Sequence, residues 1–260
     1  MTTTTNPTQT QIMDFDFSRF TKLIQPDGRG PCPGCGSEID FFLSGGRRIG
    51  ECTPCRTEET ARLKIEKRRE VCLAAWHDVT PMTFLREIEP MRISASIRPA
   101  LNLDGTSGVG FSGSSGGGKT RVAYALLRKA AEQGLKPYSV SASEYRLAAA
   151  NRHHSDNAIR NESTSILRNS RNCQALLIDD IGKGASTAVG DEALYDLLNE
   201  RRDNEMLTFW TTNGSGEWLK RRLGPDMGPA ILRRMVDLVT TSEGKRQVFV
   251  CEPDGKEGHE

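Results

Sequence analysis

Apolar residues follow a repeating pattern in the C-terminal part of the chain. Short apolar runs bounded by glycine or polar residues alternate there with longer stretches that contain neither glycine nor proline. The short runs predict buried strands and the longer stretches predict helices. Such alternation is typical of an α/β fold, in which a parallel sheet lies between helices. The predicted strands are 108–112, 136–141, 174–179, 207–212 and an edge strand at 247–251, and the predicted helices cover 119–133, a segment from 143, and 191–202.

The first hundred residues follow a different pattern. Residues 1–20 are predicted to be a disordered tail, because they begin with a run of Thr, Asn, Gln and Pro that has almost nothing to bury. A small domain is predicted over 21–79, ending in a helix over 57–75 with Thr57 as its N-cap. Three regularly spaced prolines predict a linker over 80–99.

Composition and charge exclude several classes of protein. The chain has 260 residues, enough for one full domain and a small companion. Lys and Arg number 35 and Asp and Glu 34, so the formal net charge is +1 and any nucleic-acid-binding face must be local. No apolar run approaches the ~18 residues of a membrane span. The N-terminus has neither the basic start nor the apolar stretch of a secretory signal. We therefore expect a soluble, cytoplasmic protein with no membrane partner.

A glycine-rich motif, GSSGGGKT, occupies residues 113–120 between a predicted strand and a predicted helix. It fits the phosphate-loop pattern, in which backbone N–H groups and the helix N-terminus hold phosphate oxygens. The motif predicts that Lys119 contacts the β- and γ-phosphates and that the Thr120 hydroxyl binds Mg²⁺; the alternative is a flexible linker. The residues predicted to hold ATP are Gly113, Ser114, Ser115, Gly116, Gly117, Gly118, Lys119 and Thr120.

Two further predicted strands end in polar side chains. Asp179 and Asp180 follow a buried run, and Asn213 follows the strand 207–212. Asp179 is placed to hold Mg²⁺, and Asp180 to orient the attacking water. The Asn213 carboxamide would reach the γ-phosphate or that water if its strand lies between the other two. The acids could also be incidental residues at an exposed strand end.

Taken in order, these motifs resemble the AAA+ ATPases of the DnaC/IstB type, a group of replicative helicase loaders and transposition helpers. The resemblance covers about residues 100–250 and rests on GSSGGGKT, LLIDDIGK at 176–183, LTFWTTN at 207–213 and AILRRM at 230–235. It implies an AAA+ P-loop NTPase core over 100–260. In a departure from the larger AAA+ proteins, only 36 residues follow Gly224, so a short C-terminal lid is predicted. It also implies slow ATP hydrolysis that depends on self-association.

In such proteins an arginine reaches the nucleotide of the neighbouring subunit. Its position before Met235 makes Arg234 the candidate, with Arg221, Arg222 and Arg233 as competitors. An arginine supplied in this way is worth ~10³–10⁵ in rate, because it neutralises charge on the transferring phosphoryl group. A second set of arginines is interpreted as lining a central channel for single-stranded DNA. These are Arg146, Arg152, Arg160 and Arg168.

Four cysteines form two C-x₂-C knuckles, Cys32 with Cys35 and Cys52 with Cys55. Their spacing is typical of a zinc site with four thiolate ligands, which has no open coordination position and is therefore structural. A redox dithiol and disulfides are the alternatives. We predict a small zinc-binding domain that docks a protein partner, since five acids among the basic residues of 47–70 weaken it as a DNA-binding face.

The sequence thus favours a helicase loader that binds a replicative ring helicase through its zinc-bearing domain. ATP hydrolysis would release the loader once the helicase is on single-stranded DNA. The alternatives are an IstB-like transposition helper, a zinc-containing nucleoside kinase, and a nucleotide-gated adaptor that does not hydrolyse ATP. In the kinase the knuckles follow the phosphate loop, whereas here they precede it.

Overall fold

The computed structural model describes residues 28–44, 47–50, 52–81 and 93–251. The chain divides into an N-terminal unit, Met1–Leu63, and a C-terminal unit, Lys64–Glu260. The predicted tail over 1–20 lies outside the described residues. The strands are β1 (Gly28–Pro31), β2 (Glu38–Ser44), β3 (Arg47–Ile49), β4 (Val109–Gly113), β5 (Pro137–Ser141), β6 (Ala175–Asp179), β7 (Leu207–Thr211) and β8 (Val248–Cys251). The helices are α1 (Thr53–Val79), α2 (Lys119–Glu132), α3 (Ala142–Asn151), α4 (Asn157–Asn172), α5 (Ala188–Asp203), α6 (Gly216–Arg222) and α7 (Met227–Asp237).

In the N-terminal unit, β1, β2 and β3 form an antiparallel sheet in sequence order. Helix α1 begins at Thr53, directly after Cys52, whose carbonyl accepts the N–H of Arg56. The prediction of Thr57 as the N-cap is wrong, since its hydroxyl donates to the carbonyl of Thr53 from inside the helix. Proline is well suited to the first turn of a helix, so Pro54 allows this earlier start.

The C-terminal unit contains a five-stranded parallel sheet in the order β5-β6-β7-β4-β8. This confirms the α/β prediction, including β8 as an edge strand and β7 between the two strands that precede the phosphate loop and the acid pair. One apolar cluster on the sheet includes Phe111, Leu127 and Phe209. A second includes Ile178 and Trp210. Most side chains of the central strands β4, β6 and β7 are buried on both faces, as expected when helices cover a parallel sheet.

The segment that precedes the sheet packs into this core. Ile93, Ile97 and Ala100 are buried, and a 3-10 helix spans Arg98–Asn102. The second half of α1 also belongs to the C-terminal unit, where the Trp76 indole donates to the carbonyl of Tyr124 over 3.1 Å. Within 93–99, Ile93 and Ile97 belong to the core of this unit, whereas Ala95, Ser96, Arg98 and Pro99 are exposed. Residues 82–92 of the predicted linker lie outside the described residues.

One arginine lies wholly inside the C-terminal unit. The Arg201 side chain is fully buried and donates to Thr208 Oγ1 and to main-chain carbonyls of residues 170, 173 and 207 over 2.7–3.2 Å. Two of these carbonyls lie at the C-terminal end of α4, where the helix dipole favours a positive charge. Arg201 thus joins α4, α5 and β7. Among the helices described, none is both long and apolar enough to cross a membrane.

Candidate functional site

The phosphate-loop motif lies between the end of β4 and the start of α2, as predicted. Gly113, Gly116 and Gly118 have φ angles of +106°, +88° and +86°, a region that favours glycine. The loop thus takes a backbone shape that side chains would strain. Its N–H groups lie at the N-terminus of a 14-residue helix, which favours a bound anion.

Two segments that are distant in sequence form main-chain hydrogen bonds with this loop. The Ser114 N–H donates to the carbonyl of Cys251 over 3.0 Å, and the Ser94 N–H donates to the carbonyl of Gly117 over 3.0 Å. A Cβ on Gly117 would lie 2.1 Å from Cys251 Sγ, so the loop packs directly against β8. The sequence gives no sign of either contact, because both depend on the tertiary fold.

Lys119 is buried, with 5% of its surface exposed. Its ammonium group donates to the carbonyls of Gly113 (3.1 Å) and Ser114 (2.5 Å), so the side chain is folded back over the loop. Burial lowers the pKa of Lys119, and the nearby Asp179 and Asp180 oppose that shift. A buried ammonium group whose hydrogen bonds go to two carbonyls is well prepared to exchange them for phosphate oxygens.

Asp179 lies at the end of β6, next to the first turn of α2. Its Oδ1 accepts from Thr120 Oγ1 over 2.9 Å and from Thr211 Oγ1 over 2.5 Å. Burial raises the pKa of Asp179, and the two hydroxyl groups oppose the rise. The structure therefore brings together the predicted pair of Mg²⁺ ligands, a hydroxyl and a carboxylate. Thr211 was not predicted, although it stands two residues before Asn213.

Asp180 and Asn213 meet beside this pair. Asn213 Nδ2 donates to Asp180 Oδ1 over 2.8 Å, and Lys183 Nζ lies 3.1 Å from Asp180 Oδ2. Asp180 has a φ of +57°, unusual for a non-glycine residue, and its N–H donates to Thr211 Oγ1 over 2.9 Å. Thr211 therefore connects both acids. Backbone strain of this kind is concentrated at functional sites.

The arginine expected to act between subunits is held within its own chain. Arg234 Nε donates to Asn199 Oδ1 over 2.8 Å, and Arg234 Nη1 lies 3.2 Å from Asp237 Oδ2. Its guanidinium group also lies 5.7 Å from the ring centroid of Tyr195. Its competitors Arg221, Arg222 and Arg233 are all exposed, and Arg222 donates to the carbonyl of Gly184.

The prediction that Arg146 lines a channel for DNA is wrong. Its side chain is 3% exposed, its Nε lies 2.7 Å from Asp191 Oδ1, and its Nη1 donates to the carbonyl of Lys183 over 3.1 Å. Burial lowers the pKa of Arg146, and Asp191 opposes this shift. Arg146 is a structural partner of the loop that follows Asp180. Its sequence neighbours alone did not reveal the buried acid opposite it.

The four cysteines of the two knuckles converge in the N-terminal unit. Their sulfur atoms all lie within 4.8 Å of one another. A tetrahedral zinc ion bound by four thiolates, at ~2.3 Å each, needs sulfurs about 3.8 Å apart, so the set fits a metal of this type. Main-chain N–H groups of Cys52 and Gly34 donate to Cys32 and lower its pKa to about 6. A Cβ on Gly34 would lie 3.0 Å from Cys55 Sγ, which favours glycine in this knuckle.

Comparisons with known proteins agree with this fold. A family model described as IstB-like ATP binding protein matches residues 63–245. The crystal structure of DnaI is 21% identical, with 66% of this chain and 95% of that one covered and a TM-score of 0.50. The DnaC helicase loader is 21% identical (60% and 86% covered, TM-score 0.46), and a putative primosome component from Streptococcus pyogenes serotype M3 is 23% identical (69% and 96%, TM-score 0.49).

These structural likenesses concern the fold alone, and no curated protein matches the chain. The family model covers well over half of the sequence, including the phosphate loop, the acid pair and Asn213. The chain therefore belongs to the family of IstB-like ATP binding proteins, the DnaC/IstB type of AAA+ ATPase.

Proposed function

We propose that this protein hydrolyses ATP at the edge of the sheet where β4, β6 and β7 end. The observation that carries the proposal is the hydrogen-bonded set in which Asp179 meets Thr120 and Asp180 meets Asn213. Lys119 leaves its two carbonyls and binds the β- and γ-phosphates. Thr120 and Asp179 hold Mg²⁺, which would neutralise charge on the phosphate oxygens.

Asp180 and Asn213 have different roles toward the attacking water. The Asp180 carboxylate accepts a proton from the water and orients it, while the Asn213 carboxamide can donate to the γ-phosphate and accept from the water. Aspartate is one methylene shorter than glutamate, so it reaches the water less well. We expect slow turnover, suited to a timed step.

For the biological role, we propose an ATP-dependent loader of a replicative ring helicase. The N-terminal unit, with Zn²⁺ bound by Cys32, Cys35, Cys52 and Cys55, docks the helicase. The C-terminal unit self-associates on ATP and single-stranded DNA, and hydrolysis releases it. The position of the four-cysteine cluster before the ATPase core supports this role, as does the DnaI-like fold.

A transposition helper is the second candidate. The description of the matching family, IstB-like ATP binding protein, favours it. The ATPase site would be the same, but the client would be a transposase on target DNA. The two roles differ in what the N-terminal unit binds.

A loading assay with a closed single-stranded DNA circle separates these roles. A ring helicase can encircle such a DNA only if the protein ring is opened, so unwinding of a strand annealed to the circle reports loading. The full chain should raise unwinding by the host's replicative helicase at least about tenfold. Two variants should not raise it: Lys119→Ala loses the contact with the phosphates, and Cys35→Ser loses the folded docking unit. Lys245→Ala, an exposed lysine, is the control. No stimulation by the wild-type chain would reject the loader role.

The arginine acting between subunits has its own test. Arg234→Ala should spare ATP affinity and lower turnover by about 10³-fold if Arg234 leaves Asn199 and Asp237 to reach the neighbouring nucleotide. Mixing it with Asp180→Asn subunits should restore part of the turnover, since each variant supplies what the other lacks. Arg233→Ala is the matched control. An equal loss in that control, or no recovery on mixing, would contradict the assignment to Arg234.

A further inference from the structure

One aromatic side chain lies on both turns that present the polar groups of the ATPase site. A Cβ on Gly214 would lie 2.1 Å from Trp218 Cε3, and a Cβ on Gly182 would lie 2.5 Å from Trp218 Cζ3. The indole is therefore in direct contact with the backbone at both positions. Gly214 has an ordinary φ, so the space taken by the indole alone requires glycine there; Gly182 also has a φ of +97°.

The two glycines are close in sequence to the residues proposed to handle the water. Gly214 directly follows Asn213, and Gly182 is two residues after Asp180. Asn213 Nδ2 and Asp180 Oδ1 are 2.8 Å apart. A displacement of either turn changes this distance, so the indole fixes the relative position of the two side chains.

The local structure of α6 holds the indole in place. Ser215 caps the helix, and its hydroxyl accepts a hydrogen bond from the main-chain N–H of Trp218 over 3.2 Å. The next residue, Leu219, is buried and also lies against Gly182. At the end of the same helix, Arg222 donates to the carbonyl of Gly184. Helix α6 thus contacts the loop after Asp180 at two points.

We propose that Trp218 is a positioning residue for ATP hydrolysis, acting through Asp180 and Asn213. It holds the two turns at the spacing that lets the carboxylate and the carboxamide contact one water. It also transmits movement: when Asn213 turns toward a γ-phosphate, Gly214 shifts against the indole and α6 follows. This inference rests on the proposed ATPase function and identifies the part of the fold that sets its rate.

Kinetics of the full chain test the positioning role. Trp218→Ala should lower kcat about tenfold or more, because a misplacement of 1 Å can cost ~10² in rate. The affinity for Mg-ATP should stay within about twofold, since the turns that Trp218 contacts at Gly182 and Gly214 are not the loop proposed to hold the phosphates. Trp218→Phe keeps an aromatic ring against Gly214 but lacks the outer edge of the indole that reaches Gly182, so its kcat should lie between those of the wild-type chain and Trp218→Ala. A general loss of folding would instead lower affinity and the unfolding midpoint together.

A double-mutant cycle separates positioning from general packing. Gly214→Ala places a methyl group inside the indole and should reduce kcat as strongly as Trp218→Ala. In the double variant the methyl group enters the space that the indole leaves, so kcat should be no lower than in Trp218→Ala alone. Additive losses in the double variant would overturn the proposal.

Tryptophan fluorescence supplies a readout that a packing role would not change. The emission of the wild-type chain minus that of Trp218→Phe should change on binding Mg-AMPPNP but not Mg-ADP, and Asn213→Ala should abolish this difference. If the wild-type chain binds no nucleotide, the proposed function fails and the inference with it. If the chain binds and hydrolyses ATP but Trp218→Ala has wild-type kcat, the inference alone is overturned.

Discussion

The two units of this protein hold their functional residues in different ways. In the C-terminal unit, Asp179 follows a strand whose other side chains are buried, and it contacts Thr120 and Thr211 from two other elements. In the N-terminal unit, Cys32 is the one buried side chain among those described between residues 28 and 63. A packed core fixes the first site, whereas at the second Cys32 alone is buried among the side chains that the structure describes.

The difference shows that a bound ligand has a different role in each unit, catalytic in the C-terminal unit and structural in the N-terminal unit. A preformed nucleotide site needs ATP and Mg²⁺ for chemistry but not for folding. A small sheet whose described side chains are mostly exposed needs a metal to be stable. The comparison therefore predicts that metal loss and core mutations affect the two units separately.

Removal of the proposed zinc ion should have the largest effect. Structural zinc contributes about 10–16 kcal/mol of binding free energy in small domains, more than a three-stranded sheet can supply by other means. Chelation or Cys35→Ser should unfold residues 28–50 and leave the unfolding midpoint of the C-terminal unit unchanged. Amide resonances in NMR spectra report each unit separately. Well-dispersed resonances for 28–50 in metal-free protein would contradict the comparison.

Loss of the buried Arg201 should have the next largest effect, confined to the other unit. Arg201→Met keeps the bulk of the side chain but leaves three carbonyls and a hydroxyl without their donor. The free energy of unfolding of the C-terminal unit, measured in urea, should fall by about 3–5 kcal/mol. The neighbouring Arg202 is partly exposed and makes surface ion pairs, so Arg202→Met should cost at most about 1 kcal/mol.

The smallest effect should be a gain in stability at the site itself. Because burial raises the pKa of Asp179 above that of the unfolded chain, its charge opposes folding at neutral pH. Asp179→Asn should therefore raise the unfolding midpoint slightly at pH 7 while weakening binding of Mg-ATP. The gain should shrink as the pH falls through the raised pKa of Asp179, because the wild-type carboxyl then becomes protonated. Asp226→Asn, at an exposed acid, should change neither property; a lower midpoint in Asp179→Asn would contradict this account.

The sequence predicted those parts of the site that local chemistry determines. The phosphate loop needs glycines at specific backbone angles and a following helix, and both requirements are visible in residues 113–120. The acids and Asn213 were placed because strand ends in a parallel sheet share one edge. The order of the sheet, with β7 between β6 and β4, matched the requirement for Asn213.

Contacts between distant segments were not predictable in the same way. Trp218 on Gly182 and Gly214, or Cys251 against Gly117, depends on how elements pack and has no mark in the sequence. The sequence around Arg146 predicts an exposed side chain. In the structure this side chain is buried beside Asp191, which lies 45 residues later in the sequence. Side-chain partners of this kind follow from the tertiary fold and not from local pattern.

A crystal structure of the full chain with AMPPNP and Mg²⁺ tests the central claim most directly. We expect the triphosphate in the turn of residues 113–120, Lys119 moved from its two carbonyls onto phosphate oxygens, and the metal beside Thr120 and Asp179. Asp180 and Asn213 should face the γ-phosphate. An empty turn, or a nucleotide bound elsewhere with these two side chains directed away from it, would contradict the account.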